Sequence, residues 1–202
     1  MTTSRAFKSL WPSQLINVFS ARFITGKLLL KFKKRLGVLF QNSNILHLVA
    51  TRVKRIPLLG ILSRNTATRK RINFKDVSEP GVQDRRAGKK IPGTSKELHD
   101  YANLYFDAHN PMLSARRSEN NKICVLRINK DILDLEGIIV TDMNAARDCR
   151  FMSLKEGLAV LDHEKVYMVN WKDQNNSINE YRQAGIKCAE ILVPECVESR
   201  YI

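Results

Sequence analysis

The chain has 202 residues, 44% of them hydrophobic, and a formal net charge of +14. That suits one ordinary globular core, with an appendage at most, and no apolar run reaches the ~18 residues that cross a bilayer, so no integral membrane segment is expected. Residues 1–90 carry 20 Lys/Arg against 3 Asp/Glu, and residues 91–202 carry 14 against 17; a basic half beside a near-neutral one suits an anionic partner or a solvated basic face.

Cys124, Cys149, Cys188 and Cys196 form no Cys-x-x-Cys pair and have no His at zinc-like spacing. They read as reduced thiols, which points to a cytoplasmic protein with no metal site. The charge-free stretch Ser9 to Ala21 is short and holds Pro12, so no secretory signal is expected.

Residues 1–46 carry eight Lys/Arg and no acid, with "RFITGKLLLKFKKRLGVLF" at their centre. Three readings stand side by side: a membrane-surface amphipathic helix, an organelle transit peptide, or an unrelated extension. Residues 47–202 are the functional domain. In "RIPLLGILSRN" an apolar turn ends at Gly60 and Ser63-Arg64-Asn65 reads as a polar loop. Residues 66–97 are polar and basic with turn signals at "SEPG" and "IPGTSKE", and "VQDRRAGKK" between them reads as a short helix with four cations.

The second half is more regular. "DYANLYF" (100–106), "KICVLRI" (122–128), "GIIVTD" (137–142) and "KVYMVNW" (165–171) read as strands. "LKEGLAVL" (154–161) has helical spacing. "SINEYRQAGIK" (177–187) reads as a helix with Ser177 as N-cap and Glu180 completing a capping box. A last strand, Cys188 to Val193, is stopped by Pro194. Short strands with scattered short helices predict an α+β fold.

Glu190 lies inside that last apolar run. A carboxylate there costs several kcal/mol unless it is paired or hydrogen-bonded. The ordinary reading is a strand-edge side chain that faces water or pairs with Lys187. The other is a site residue whose direction the backbone holds.

"ELHDYANLYFDAHNPML" (97–113), "IIVTDMNAA" (138–146) and "IKCAEILVPE" (186–195), with "GILSRN" and "VQDRRAGKKIP" in the same order, resemble the DarT family over about residues 55–195. These are toxins that ADP-ribosylate DNA bases with NAD. The resemblance implies an ADP-ribosyltransferase-like split β-sandwich core with NAD as co-substrate in a cleft between two small sheets. It implies an NAD-dependent DNA ADP-ribosyltransferase, of glycosyltransferase class, in which Glu190 and Arg86 are catalytic. NAD binding would fall to His47, Ser63, Arg86 and Tyr105. His47 matches the first His of a family His-x-Thr-His element, whereas Val49 and Ala50 stand where its Thr and second His are expected.

Asn144, Arg85 and Lys89 would bind the substrate: Asn144 at a base edge, the two cations on phosphates. A base inside a duplex does not reach a buried glycosyl donor, so the implied partner is single-stranded DNA. The motifs lean to guanine, with thymine the alternative. By the resemblance the chain would be a toxin countered by a macrodomain antitoxin, and a monomer is expected. The rival readings are a catalytically decayed nucleic-acid-binding copy and an ADP-ribosyltransferase that acts on RNA or protein.

Overall fold

The β-branched and aromatic runs form the strands in the computed structural model, which describes residues 46–50, 56–74, 76, 78–79 and 81–202. Apart from Leu46, the extension read over residues 1–46 lies outside the described residues. The strands are β1 Leu46–Ala50, β2 Ile61–Leu62, β3 Tyr101–Tyr105, β4 Cys124–Ile128, β5 Ile139–Thr141, β6 Phe151–Ser153, β7 Glu190–Pro194 and β8 Cys196–Val197.

Six of them pair in the order β4-β1-β3-β7-β5-β6, and β2 pairs with β8 in a second, two-stranded sheet. Every pairing is antiparallel. The larger sheet is not continuous in strength. β1 pairs β4 over five residues, and β3 pairs β7 over five. β1 and β3 meet in register only at His47↔Tyr105. The sheet is thus a two-strand ribbon joined to a four-strand half at one point. Helices are short and scattered, as α+β patterning predicts.

β7 lies between β3 and β5, and its first four residues are all buried. That explains its unbroken apolar run: a strand covered on both faces does not alternate. Behind the sheet, Ile91, Leu98, Tyr101, Ala145 and Leu192 pack together, with Ile139, Cys149 and Phe151 against them. The helix Leu154–Val160 begins with a capping box from Ser153 and Glu156. It sits so close to β5 that a Cβ on Gly157 would come within 2.3 Å of Val140 Cβ. Gly60 has φ +67, and an added Cβ would meet the Val197 carbonyl oxygen at 2.1 Å; only glycine lets the chain turn there beneath β8.

Four local expectations are corrected. "KVYMVNW" is not a strand: His163–Val166 is a helical turn capped by Asp162, whose carboxylate accepts from Lys165 N. Lys187 Nζ takes the Val166 carbonyl at 2.9 Å, so that oxygen serves a buried ammonium rather than a ladder. The helix Ser177–Lys187 is capped by Asn176, not Ser177, and Glu180 binds Lys172 Nζ and Asp173 N. Asn is as good a cap as Ser, and it sits one residue earlier. Ser63-Arg64-Asn65 is not loop: Ser63 caps the helix Arg64–Arg69 and accepts from Thr66 N. The last strand starts at Glu190, because Cys188 still closes the preceding helix, and it includes Pro194.

Candidate functional site

Glu190 is the first residue of β7 and is 0% exposed. The reading of it as a strand-edge carboxylate paired with Lys187 is overturned, since β7 is central and Lys187 is bound to Asp107. Its backbone N–H donates to Thr141 Oγ1 at 3.1 Å, and the Thr141 hydroxyl donates to the Met143 carbonyl at 2.7 Å. Oε1 accepts from the Ala145 N–H at 3.0 Å and from Arg86 Nη1 at 2.9 Å. Oε2 accepts from Arg86 Nη2 at 3.1 Å. The result is a bidentate carboxylate–guanidinium pair, the strongest geometry such groups have.

Arg86 is 5% exposed and ends the helix Val82–Arg86. The helix opens at Gly81 in the left-handed region, φ 78. Gln83 ties it sideways, accepting from His99 Nε2 at 3.0 Å and donating to Ser78 Oγ at 3.2 Å. Burial by itself lowers the Arg86 pKa, but the charge and hydrogen bonds of Glu190 carry it above its ordinary value. Removing one partner of such a pair costs about 3–5 kcal/mol, because the other charge is left buried and unpaired.

Tyr105 pairs in register with Glu190 on one side and His47 on the other. His47, Tyr105 and Glu190 therefore stand in one row across three strands, at the point where the sheet divides. Burial, then the charge of Glu190, pushes the Tyr105 phenol well above its usual pKa, so it stays neutral. Burial also raises the nearby thiols, Cys149 to about 11 and Cys188 to about 12, which disfavours their thiolates. Burial and the nearby cations Arg64 and Arg86 lower the His99 pKa.

The structure brings Glu190, Arg86 and Tyr105 together, with the backbone of His47 in the same row. Arg85 is exposed one residue before Arg86. Lys89 is not spread into solvent: Nζ donates to the Ala145 carbonyl at 2.8 Å and to the Arg147 carbonyl, and lies 5.2 Å from the centre of the Phe151 ring. Asn144 holds a turn, its Oδ1 accepting from Ala146 N at 2.9 Å while its own N–H donates to the Gly185 carbonyl at 3.0 Å. Ser63 stands apart as a buried helix cap that donates to Thr66 Oγ1 at 2.9 Å.

Sequence reasoning missed three parts of this centre. Thr141 was read only as a strand residue, though a hydroxyl in an apolar run is a signal. The Ala145 N–H left no signal, because a backbone donor is invisible in a residue's name. The third is the true set of partners of Lys187, read as a possible partner of Glu190: its buried Nζ binds Asp107 and the Val166 carbonyl. This joins the end of β3 to the turn that enters β7, just beyond the Tyr105↔Glu190 row. Among the described residues no cluster of His, Cys, Asp or Glu could hold a metal, and no helix is long and apolar enough to cross a membrane.

The family model described as ssDNA thymidine ADP-ribosyltransferase, DarT, matches residues 50–202. A DNA ADP-ribosyl transferase–DNA ADP-ribosyl glycohydrolase fusion protein of Thermosipho africanus is 28% identical over 165 residues, 75% of this chain. The chain spans 39% of that relative's length. Thermus sp. 2.9 DarT, solved in complex with ADP-ribosylated ssDNA, superposes with a TM-score of 0.67 at 23% identity, covering 79% of each chain. The same Thermus protein in complex with NAD+ gives 0.62 at 21% identity, covering 80% of each. At that identity the likeness is one of fold.

Proposed function

The chain belongs to the DarT family, and from that premise we propose that it transfers ADP-ribose from NAD to a thymine base in single-stranded DNA. One observation carries the reading: a fully buried carboxylate, Glu190, bidentate to a buried arginine where the sheet divides. Apolar residues of similar volume at a buried site are often as stable as such a pair or more so.

The residues present fit a dinucleotide co-substrate. NAD, when bound, supplies the nicotinamide–ribose bond, whose cleavage makes the ribose cation-like. Glu190 is built to face such a charge. Its backbone is held by Thr141 and its Oε1 by Ala145, so the carboxylate keeps its direction when Arg86 turns to the substrate and positive charge develops. Its oxygens also accept from ribose hydroxyls once Arg86 withdraws. Arg86 stays protonated, and its planar fork orients a phosphate or a base rather than taking a proton. Tyr105 offers a neutral wall.

Thymine is favoured over guanine by the description of the family model. Single strands are supported by the Thermus relative, which was solved in complex with ADP-ribosylated ssDNA. A toxin role with a macrodomain antitoxin draws support from the Thermosipho relative, which carries a DNA ADP-ribosyl glycohydrolase in the same chain. We read the protein as a cytoplasmic monomer.

The test is incubation with labelled NAD and, separately, single-stranded DNA, duplex DNA, RNA and protein. Label is expected in single-stranded DNA alone, and to vanish when the oligonucleotide lacks thymine. Label in RNA or protein, or none in any polymer, overturns the reading. Binding to the single strand is expected to weaken steeply with salt.

A further inference from the structure

We propose that Lys89 is a positioning residue that sets the direction of the Glu190 carboxylate by holding Ala145, and that it is not a phosphate contact. The proposal rests on the transferase reading of Glu190.

An ammonium has three donors and no acceptor. Lys89 Nζ gives one to the Ala145 carbonyl and one to the Arg147 carbonyl. Its remaining side meets the Phe151 ring, 5.2 Å from the centroid, a cation–π distance. Two of the three donors are therefore committed to backbone carbonyls. The base of the side chain is fixed as well: Lys89 N donates to the Arg86 carbonyl at 3.3 Å, and the Lys89 carbonyl accepts from Leu98 N at 2.8 Å.

Ala145 is thereby gripped from two sides. Lys89 takes its carbonyl, and its N–H donates to Glu190 Oε1 at 3.0 Å. The four-residue stretch from Arg86 to Lys89 so reaches Glu190 twice, once directly through Arg86 and once through Ala145. When a substrate draws Arg86 away from the carboxylate, the Lys89–Ala145 bond keeps Oε1 in place. Without Lys89 the Ala145 carbonyl loses this tether, and the turn keeps the Asn144 contacts, the Thr141–Met143 bond and the Arg147–Tyr181 bond, which hold neighbouring residues and not that carbonyl. A misplacement of about 1 Å at a reacting group costs on the order of a hundredfold in rate.

The test compares wild type with Lys89→Met and Lys89→Arg in steady-state transfer, single-strand binding over a salt series, and thermal melting. Lys89→Met is expected to lower kcat about 10- to 100-fold. KM for NAD and the salt slope of DNA binding are expected to hold. Lys89→Arg, which still offers donors to two carbonyls, recovers part of kcat. A salt slope that falls by about 0.7, the loss of one phosphate contact on a single strand, with kcat retained would overturn the proposal. So would a kcat that falls only in step with the unfolded fraction. If wild type itself shows no transfer, the functional reading fails and not this one. The Ala145 amide then carries the test: its hydrogen exchange is expected to quicken at least about tenfold in Lys89→Met, as a lost tether implies, and unchanged exchange overturns the proposal.

Discussion

Glu190 opens β7 and Glu195 lies one residue past its end; each accepts from an arginine, yet they are opposite in kind. Glu190 is sealed from solvent and bound by a single guanidinium in a fork. The Glu195 side chain is 45% exposed and shared among Thr66, Arg69 and Lys96. Its backbone sits at φ 62, a region costly for a residue with a Cβ. That kink lets its N–H reach the Asp100 carbonyl and its carbonyl accept from Ser63 N, turning the chain from β7 into β8. An exposed ion pair contributes about 0–1 kcal/mol, whereas breaking a buried one costs about 3–5 kcal/mol. One carboxylate serves the turn of the chain, and the other is held at a cost that folding alone does not require.

The largest effect expected is at Glu190. Glu190→Gln keeps the shape but removes the charge, and transfer is expected to drop by about 10³-fold or more, the scale seen when a preorganised electrostatic partner is lost. An active, folded Glu190→Gln protein in the labelled-NAD assay would break the contrast at once. The second effect separates stability from function. Arg86→Met alone leaves a buried unpaired carboxylate and is expected to lose about 3–5 kcal/mol in denaturant unfolding. The double variant Arg86→Met/Glu190→Leu is expected to regain wild-type stability or exceed it, while transfer stays absent. Double-variant stability no better than that of Arg86→Met would mean the pair is structural after all.

Thr141→Val is smaller. It strips the acceptor from the Glu190 N–H, and a buried donor left unmade costs about 1–3 kcal/mol, read as a lowered melting midpoint together with a reduced kcat.

Smallest is Glu195→Gln, expected to change stability by no more than about 1 kcal/mol and to leave transfer untouched. The Thr66 hydrogen bond, and after it Arg69, holds the Glu195 carboxyl below its ordinary range. A depressed carboxyl adds stability above its unfolded pKa of about 4.3 and loses it as pH falls through the folded value. The difference between wild type and Glu195→Gln is therefore expected at pH 7 and should fade below about pH 4. A difference that grew in acid would contradict the assignment.

Some of this centre was legible in the residue order. The α+β pattern, four of the strands (β3, β4, β5 and β7) and the helices at 82–86 and 154–160 follow from apolar periodicity and turn residues. Glu190 stands out because a charge in an apolar run is improbable without a partner, and the resemblance named Arg86 as a second catalytic residue; that the two pair across 104 positions is seen only in the structure. The errors were local and competitive. Asn176 capped before Ser177, and Lys187 claimed the Val166 carbonyl that a strand at 165–171 would have needed.

By itself the sequence determined the chemistry available: a carboxylate, a guanidinium and a phenol embedded in runs that must be buried, because apolar spacing and propensity are local properties. Only the tertiary structure decided how that chemistry is held. Register across antiparallel strands placed Tyr105 and His47 in the Glu190 row. A backbone N–H of Ala145, and a lysine bound to two backbone carbonyls, completed the setting. Hydrogen bonds between distant segments depend on where the chain returns, and no single stretch of residues encodes that.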